Sequence, residues 1–294
     1  VLFFRLGDFY EMFNEDAMLA ARELDLTLTT RDRGKPKEEQ TPMCGVPYHS
    51  VDAYIARMVQ KGYKVAVCEQ MQDPATAKGL VERDITRIVT PGTVTESCML
   101  DENKNNYMAC IYGKNHRYGL AFCDVSTGAF YATTCADAAS VASELGRFSP
   151  SEVLRWGENV DCDGIHDALY HRLRCCVDEG EEALFRQEAC EQLLQSHFKA
   201  PIEKLGLATY PLAAVASGAL LQTLLDLQKN DLAHIRRLQY YTGGKFMELD
   251  MDARRNLELT ETLRSKEKRG TLLWVLDKTH TPMGGRLLRG WMEK

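Results

Sequence analysis

Phe9 and Glu11 stand two residues apart in the run RLGDFYEMFNEDA, directly after the loop-forming pair Gly7-Asp8. On an extended chain, residues i and i+2 face the same way, so the ring and the carboxylate project together and Tyr10 opposite. Phe13 shares their direction unless the chain has already turned into the helix expected near Asn14. An apolar ring presented outward can wedge between base steps from the minor groove, unstacking them and kinking the duplex. Stacking on a base returns about 1–3 kcal/mol, against a few kcal/mol for opening a step. Well-paired DNA resists that exchange; a mispaired step opens more cheaply and yields. The carboxylate adds selection, because it repels phosphates and acceptor edges yet can hydrogen-bond a displaced base. Near phosphates it can take up a proton and become a donor. Alone, three residues describe equally well a core phenylalanine beside a solvated glutamate.

Charge gives this chemistry no general help. The 294 residues carry a net charge of −6, with no overall attraction for nucleic acid. The cations nearest the Phe-x-Glu pair in sequence are Arg5 and the loop RDRGKPKEEQ, with Arg31, Arg33, Lys35 and Lys37. Arg5, Arg31 and Arg33 are candidate DNA-backbone contacts, with a solvated loop as the plainer account of the last two. His49, between a Gly/Pro turn and a helix, reads as a structural hydrogen-bonder rather than an acid or base. The ten cysteines contain no C-x-x-C, and Cys175 and Cys176 are adjacent, which suits neither a metal nor a bridge. Cys44, Cys68, Cys110 and Cys123 sit among apolar residues and read as small buried hydrophobes of a reducing cytoplasm. No G-x-x-x-x-G-K-[ST] loop occurs, so no ATP site is expected within these residues.

The elements that must hold the pair follow from periodicity. VLFFRL is β-prone, Gly7-Asp8 turns the chain, and DFYEMF continues extended. Asn14 is a plausible N-cap for a helix with Ala17, Ala20, Ala21 and Leu24 on one face. LDLTLTT alternates as a strand, MCGVPYHS reads as a Gly/Pro turn, VDAYIARMVQKG as a helix and YKVAVCEQ as a buried strand. A strand and a Pro-Gly turn in GLVERDITRIVTPGTVTES close a compact α/β domain, and DENKNNY reads as a linker. YMACIYG, YGLAFCDVS and GAFYATTC then predict three antiparallel strands, followed by a helix in DAASVASELGRF and a strand in SEVLRW. From Pro211 to Leu238 the apolar spacing predicts a helix of about seven turns, after which the tail reads as all-helical. No stretch is long and apolar enough to span a membrane. A chain that opens on Val and closes inside a helix-like run is expected to be part of a longer protein.

GDFYEMFNEDA closely resembles the mismatch-recognition segment of the MutS family of bacterial DNA mismatch repair proteins. The resemblance continues, in the family's order, through LDLTLTTR, PMCGVPYHS, VAVCEQMQDPATAKG, VERDITRIVTPGT, DVSTG, LDMDARRNLEL and TPMGGRLLRGWM. It implies an α/β chain of three parts: a mismatch-binding domain at 1–102, a ribonuclease H-like connector at 103–235, and the start of a helical core at 236–294. It matches Phe9 to the family's stacking phenylalanine and Glu11 to its base-contacting glutamate, with Leu6 where some members carry Met. It further implies a homodimeric clamp on mismatched double-stranded DNA, a MutL-like downstream partner, and a bacterial, cytoplasmic setting. An ABC-type ATPase using ATP and Mg²⁺ would lie outside these residues.

Two other readings stay open on the sequence. One is a scaffold in which residues 3–13 are core and the chain only docks partners. The other is a metal-dependent nuclease of the ribonuclease H type, which needs further acids, such as Asp137 and Glu144, to converge on Asp124. Arg254 and Arg255 are expected to pair within the helical tail, with DNA contact as a second role.

Overall fold

A computed structural model describes residues 1–32, 34, 36, 39–72, 79, 81–95, 100–101, 104–243 and 249–293. The chain forms two compact units: Val1–Met99 with Leu225–Asp231, and Leu100–Leu224 with Leu232–Lys294. Both are α/β.

The first unit is built in chain order from β1 (Leu2–Leu6), β2 (Phe9–Phe13), α1 (Asn14–Leu24), β3 (Thr29–Thr30) and β4 (Pro42–Pro47). α2 (Val51–Gln60), β5 (Val65–Gln70) and β6 (Arg83–Val89) complete it. Its six strands lie in the order β3-β4-β2-β1-β5-β6, with only the β1–β5 pair parallel. Period-two burial sorts the side chains. Phe3, Tyr10, Met12, Cys44, Val46, Val65 and Val67 point to the face covered by α1 and α2 and are buried. α1 presents Ala17, Ala20 and Leu24 to that core, and the small side chains allow close approach, with Cys44 Sγ 3.4 Å from the Ala17 carbonyl oxygen. The opposite face carries Leu2, Phe4, Leu6, Phe9, Glu11, Phe13, Met43 and Gly45, all exposed or half-exposed.

The second unit starts with a three-stranded meander, β7 (Met108–Lys114), β8 (Arg117–Asp124) and β9 (Ala129–Cys135). α3 (Ala138–Phe148) returns the chain to β10 (Glu152–Gly157), parallel to β7. α4 (Asp163–His166) runs into a π-helical turn, Asp167–Leu173, before β11 (Cys176–Glu179) adds outside β10. α5 (Gln187–Phe198) and α6 (Pro211–Gln228, of which the residues from Leu225 belong to the first unit) follow, and β12 (Arg237–Tyr240) closes the order β11-β10-β7-β8-β9-β12. The core on one side of this sheet is aromatic at its centre, with Phe122 stacked on Phe148 at 4.0 Å. α7 (Met251–Asn256), α8 (Leu272–Leu276) and α9 (Pro282–Glu293) make up the tail.

Several elements depart from the sequence reading. Asn14 caps nothing with its side chain and instead takes a left-handed conformation, φ +53°, one that asparagine tolerates. MCGVPYHS is largely a strand, because β4 pairs along the whole of β2. In LDLTLTT only Thr29 and Thr30 find a strand partner. The long apolar helix stops at Gln228, and Lys229 is left-handed (φ +52°). The residues RLQY beyond it pair with β9, so the region 236–294 opens with a strand rather than a helix.

Candidate nucleic-acid interface

Phe9 begins β2 and is fixed from three sides. The β1–β2 connection is a two-residue hairpin loop with Leu6 opposite Phe9, and Gly7 takes φ +59°, the primed-turn geometry that matches strand twist. Arg5 Nε donates to the Gly7 carbonyl, and Tyr48 N donates to the Asp8 carbonyl at 3.0 Å, tying the turn to the end of β4. Beneath it, Tyr10 is buried and its hydroxyl donates to the Glu69 carboxylate on β5. A neighbour locked on the inner face forces Phe9 and Glu11 onto the outer one, where Phe9 remains 48% exposed.

Glu11 sits between Phe4 on β1 and Gly45 on β4. A Cβ at Gly45 would lie 3.5 Å from Glu11 Cγ and 3.3 Å from the Tyr10 carbonyl oxygen, so the glycine keeps one flank of the carboxylate clear. No described residue pairs with that carboxylate. The thiols near the ridge offer no chemistry of their own. Burial pushes Cys44 up to about 11 and also raises Cys68, so both stay protonated.

Of the cations singled out in the sequence, Arg31 reaches this face, with its guanidinium 5.9 Å from the Phe13 ring centre. Arg5 points to the other face, over Tyr48 at 4.0 Å and Tyr10 at 5.3 Å, and acts as a brace for the turn. Arg33, Lys35 and Lys37 lie outside the described residues. Arg83 was not legible as a site residue. It lies 5.3 Å over Phe4 and donates from Nε to the Arg5 carbonyl at 3.0 Å, placing a cation beside the Phe4–Glu11 row. Only the pairing of β5 with β6 brings it there. Gly45 carries a sequence signal of its own, since a glycine inside a strand marks close approach by a ligand or another backbone.

The acids of the nuclease reading are each engaged separately. Asp124 is fully buried, and its Oδ1 accepts from Ser126 N (2.9 Å), Ser126 Oγ (2.7 Å) and Thr127 N (3.3 Å). Its Oδ2 accepts from Asn106 N at 3.3 Å. Asp137 caps α3 through Ser140 N, and Glu144 accepts from the Tyr241 hydroxyl at 2.5 Å. Among the described residues no three acids, histidines or cysteines gather as a metal site. His49, beside Tyr48 at 5.7 Å, stands in a 3₁₀ turn. Arg254 donates to the Leu249 carbonyl within the tail.

Three family models match the chain in sequence order: MutS domain I over residues 1–98, MutS domain II over 106–236 and MutS domain III over 252–294. The chain belongs to the MutS family. Its Phe-x-Glu ridge thus falls inside the domain I match. Similar relatives, each named DNA mismatch repair protein MutS, come from Ruminiclostridium cellulolyticum and Acetivibrio thermocellus, both 50% identical over 297 residues. One from Lachnoclostridium phytofermentans is 44% identical over 295 residues. Each alignment takes in the whole of this chain but only 34%, 34% and 31% of the relative, so the chain spans about a third of their length.

Proposed function

We propose that this chain is the DNA-reading part of a mismatch repair protein, with Phe9 as the ring that enters the duplex and Glu11 as the group that engages the displaced base. The observation that carries the reading is the pairing of a half-exposed ring with a carboxylate that no described residue pairs with, on the open face of the first sheet. The buried alternative for residues 3–13, on which the scaffold reading depends, does not hold for Phe9. Base stacking returns about 1–3 kcal/mol to an inserted ring, enough to offset the opening of a weak step but not of a sound one. Arg31, on the same face, would approach phosphate.

The same proposal covers the division into a mismatch-recognition domain (1–102), a connector (103–235) and the start of a helical core (236–294). It also covers a homodimeric clamp, a MutL-like partner and a cytoplasmic setting. ATP and Mg²⁺ would serve the longer protein. These residues contain no phosphate-binding loop of the Walker type. The test is a comparison of binding to a G·T duplex and to its fully paired counterpart by the full-length protein. Preference for G·T supports the reading, and equal binding refutes it.

A further inference from the structure

A cleft in the second unit collects more positive charge than it can neutralise. One face of α9 supplies Arg286, Arg289 and Glu293, the last turn of α3 supplies Arg147, and Asn105 and Tyr107 line the remaining wall. The carboxylates nearby are already shared. Glu144 takes both Arg147 (3.4 Å) and the Tyr241 hydroxyl. Arg289 bonds Glu293 at 2.7 Å and Glu261 at 3.2 Å, and Lys104 also approaches Glu261, at 3.6 Å. Arg254 is close enough to Arg147 that, after burial, this like charge lowers its pKa. The named cations are therefore Lys104, Arg147, Arg254, Arg286 and Arg289, and the named carboxylates Glu144, Glu261, Glu293 and Asp124, which acts on Tyr107, an excess of one positive charge among the described residues. Among the described residues the Nε atoms of Arg147 and Arg286 have no hydrogen-bond partner, although neither side chain is fully buried and Arg147 also pairs with Glu144. A cationic donor without a partner in a partly desolvated cleft favours an acceptor-rich anion.

We propose that this cleft binds a small phosphate-class oxyanion held by Arg147 and Arg286. Its oxygens can accept from the guanidinium of Arg286, which has no partner among the described residues, while Arg147 adds a second positive charge on the same wall. Asn105 uses one amide hydrogen on the Tyr107 hydroxyl at 2.6 Å and has a second available to the ligand. The anion would come either as free phosphate or as the terminal group of a nucleoside monophosphate.

The experiment is calorimetric titration of the 294-residue chain with inorganic phosphate and, separately, with AMP, at ionic strength held constant with chloride. The expected result is saturable binding that weakens about tenfold or more in Arg286→Gln, as the loss of one charge-assisted bond implies. Tighter binding of AMP would identify the nucleotide as the source, and equal or weaker binding would identify free phosphate. In chloride alone, Arg286→Gln should melt at the same temperature as the parent or higher, since it removes one of the like charges crowded in the cleft. No saturable binding at millimolar phosphate, equal affinity in Arg286→Gln, or a lower melting temperature of that variant in chloride would each overturn the proposal.

Discussion

Phe9→Ala separates the fold from the proposed function more sharply than any other substitution. Complete burial of a phenylalanine side chain is worth about 1.5–3 kcal/mol, and Phe9 is 48% exposed, so truncation should cost the fold about 1 kcal/mol. The hairpin itself is held by Gly7, the Arg5 and Tyr48 bonds and the buried Tyr10, none of which the change touches. In the DNA complex the same ring would contribute one base stack, about 1–3 kcal/mol, which is about 5- to 150-fold in affinity. The assay is a pair of dissociation constants in the full-length protein, for G·T and for paired duplex, beside a denaturation curve for each protein. Affinity for G·T should fall by that factor, affinity for paired duplex should hold, and stability should drop only slightly. Phe9→Trp should restore the preference by restoring a stacking face. An unchanged G·T preference in Phe9→Ala would refute the wedge assignment. A loss of stability of about 3 kcal/mol or more would show that the ring acts as core.

Three further predictions concern the ridge's flank, the second sheet and the buried thiols. Gly45→Leu should leave the protein folded, at a cost of about 1–3 kcal/mol for the tight approach to Tyr10, while reducing mismatch preference by covering Glu11; preserved preference in a binding assay would separate Glu11 from the site. Gly119→Ala would place a Cβ 2.0 Å from the Leu212 carbonyl oxygen at the start of α6, so denaturant unfolding should show a loss of about 1–3 kcal/mol or more; parental stability would mean that α6 does not lie against β8. Stability should fall as pH rises above about 9. Burial raises Cys44 and Cys190 from 9.0 to about 11, so the unfolded chain releases those protons first. Each thiol then removes up to about 1.4 kcal/mol per pH unit between the two values. A flat profile in melting experiments from pH 8 to 10.5 would contradict that burial.

Much of the site could be read from sequence because it is local. A β-prone run, a Gly-Asp pair and a second β-prone run specify a hairpin, and period-two alternation then sets which way Phe9 faces. The face of α1 followed from alanine spacing for the same reason. What escaped depends on contacts distant in sequence. β12 carries no strong strand pattern and exists because β9 offers an edge, so the apolar run before it reads as continuing helix. Arg83 reaches the ridge through the pairing of β5 with β6, more than seventy residues after Phe9. Gly45 and Pro47 in MCGVPYHS read as a turn, yet they lie in a strand, Pro42–Pro47, laid against β2. Asp124 stands at the strand end where a metal-binding acid would begin, but Ser126 and Thr127 occupy its Oδ1 and Asn106 N its Oδ2.

The central claim is that the Phe9 ring enters the base stack. Fluorescence of 2-aminopurine placed beside a G·T mismatch reports unstacking at that step. With the full-length protein bound at saturation, emission should rise for the parent, rise for Phe9→Trp and stay at the free-duplex level for Phe9→Ala. Equal increases for the parent and Phe9→Ala, with both fully bound, would contradict the account.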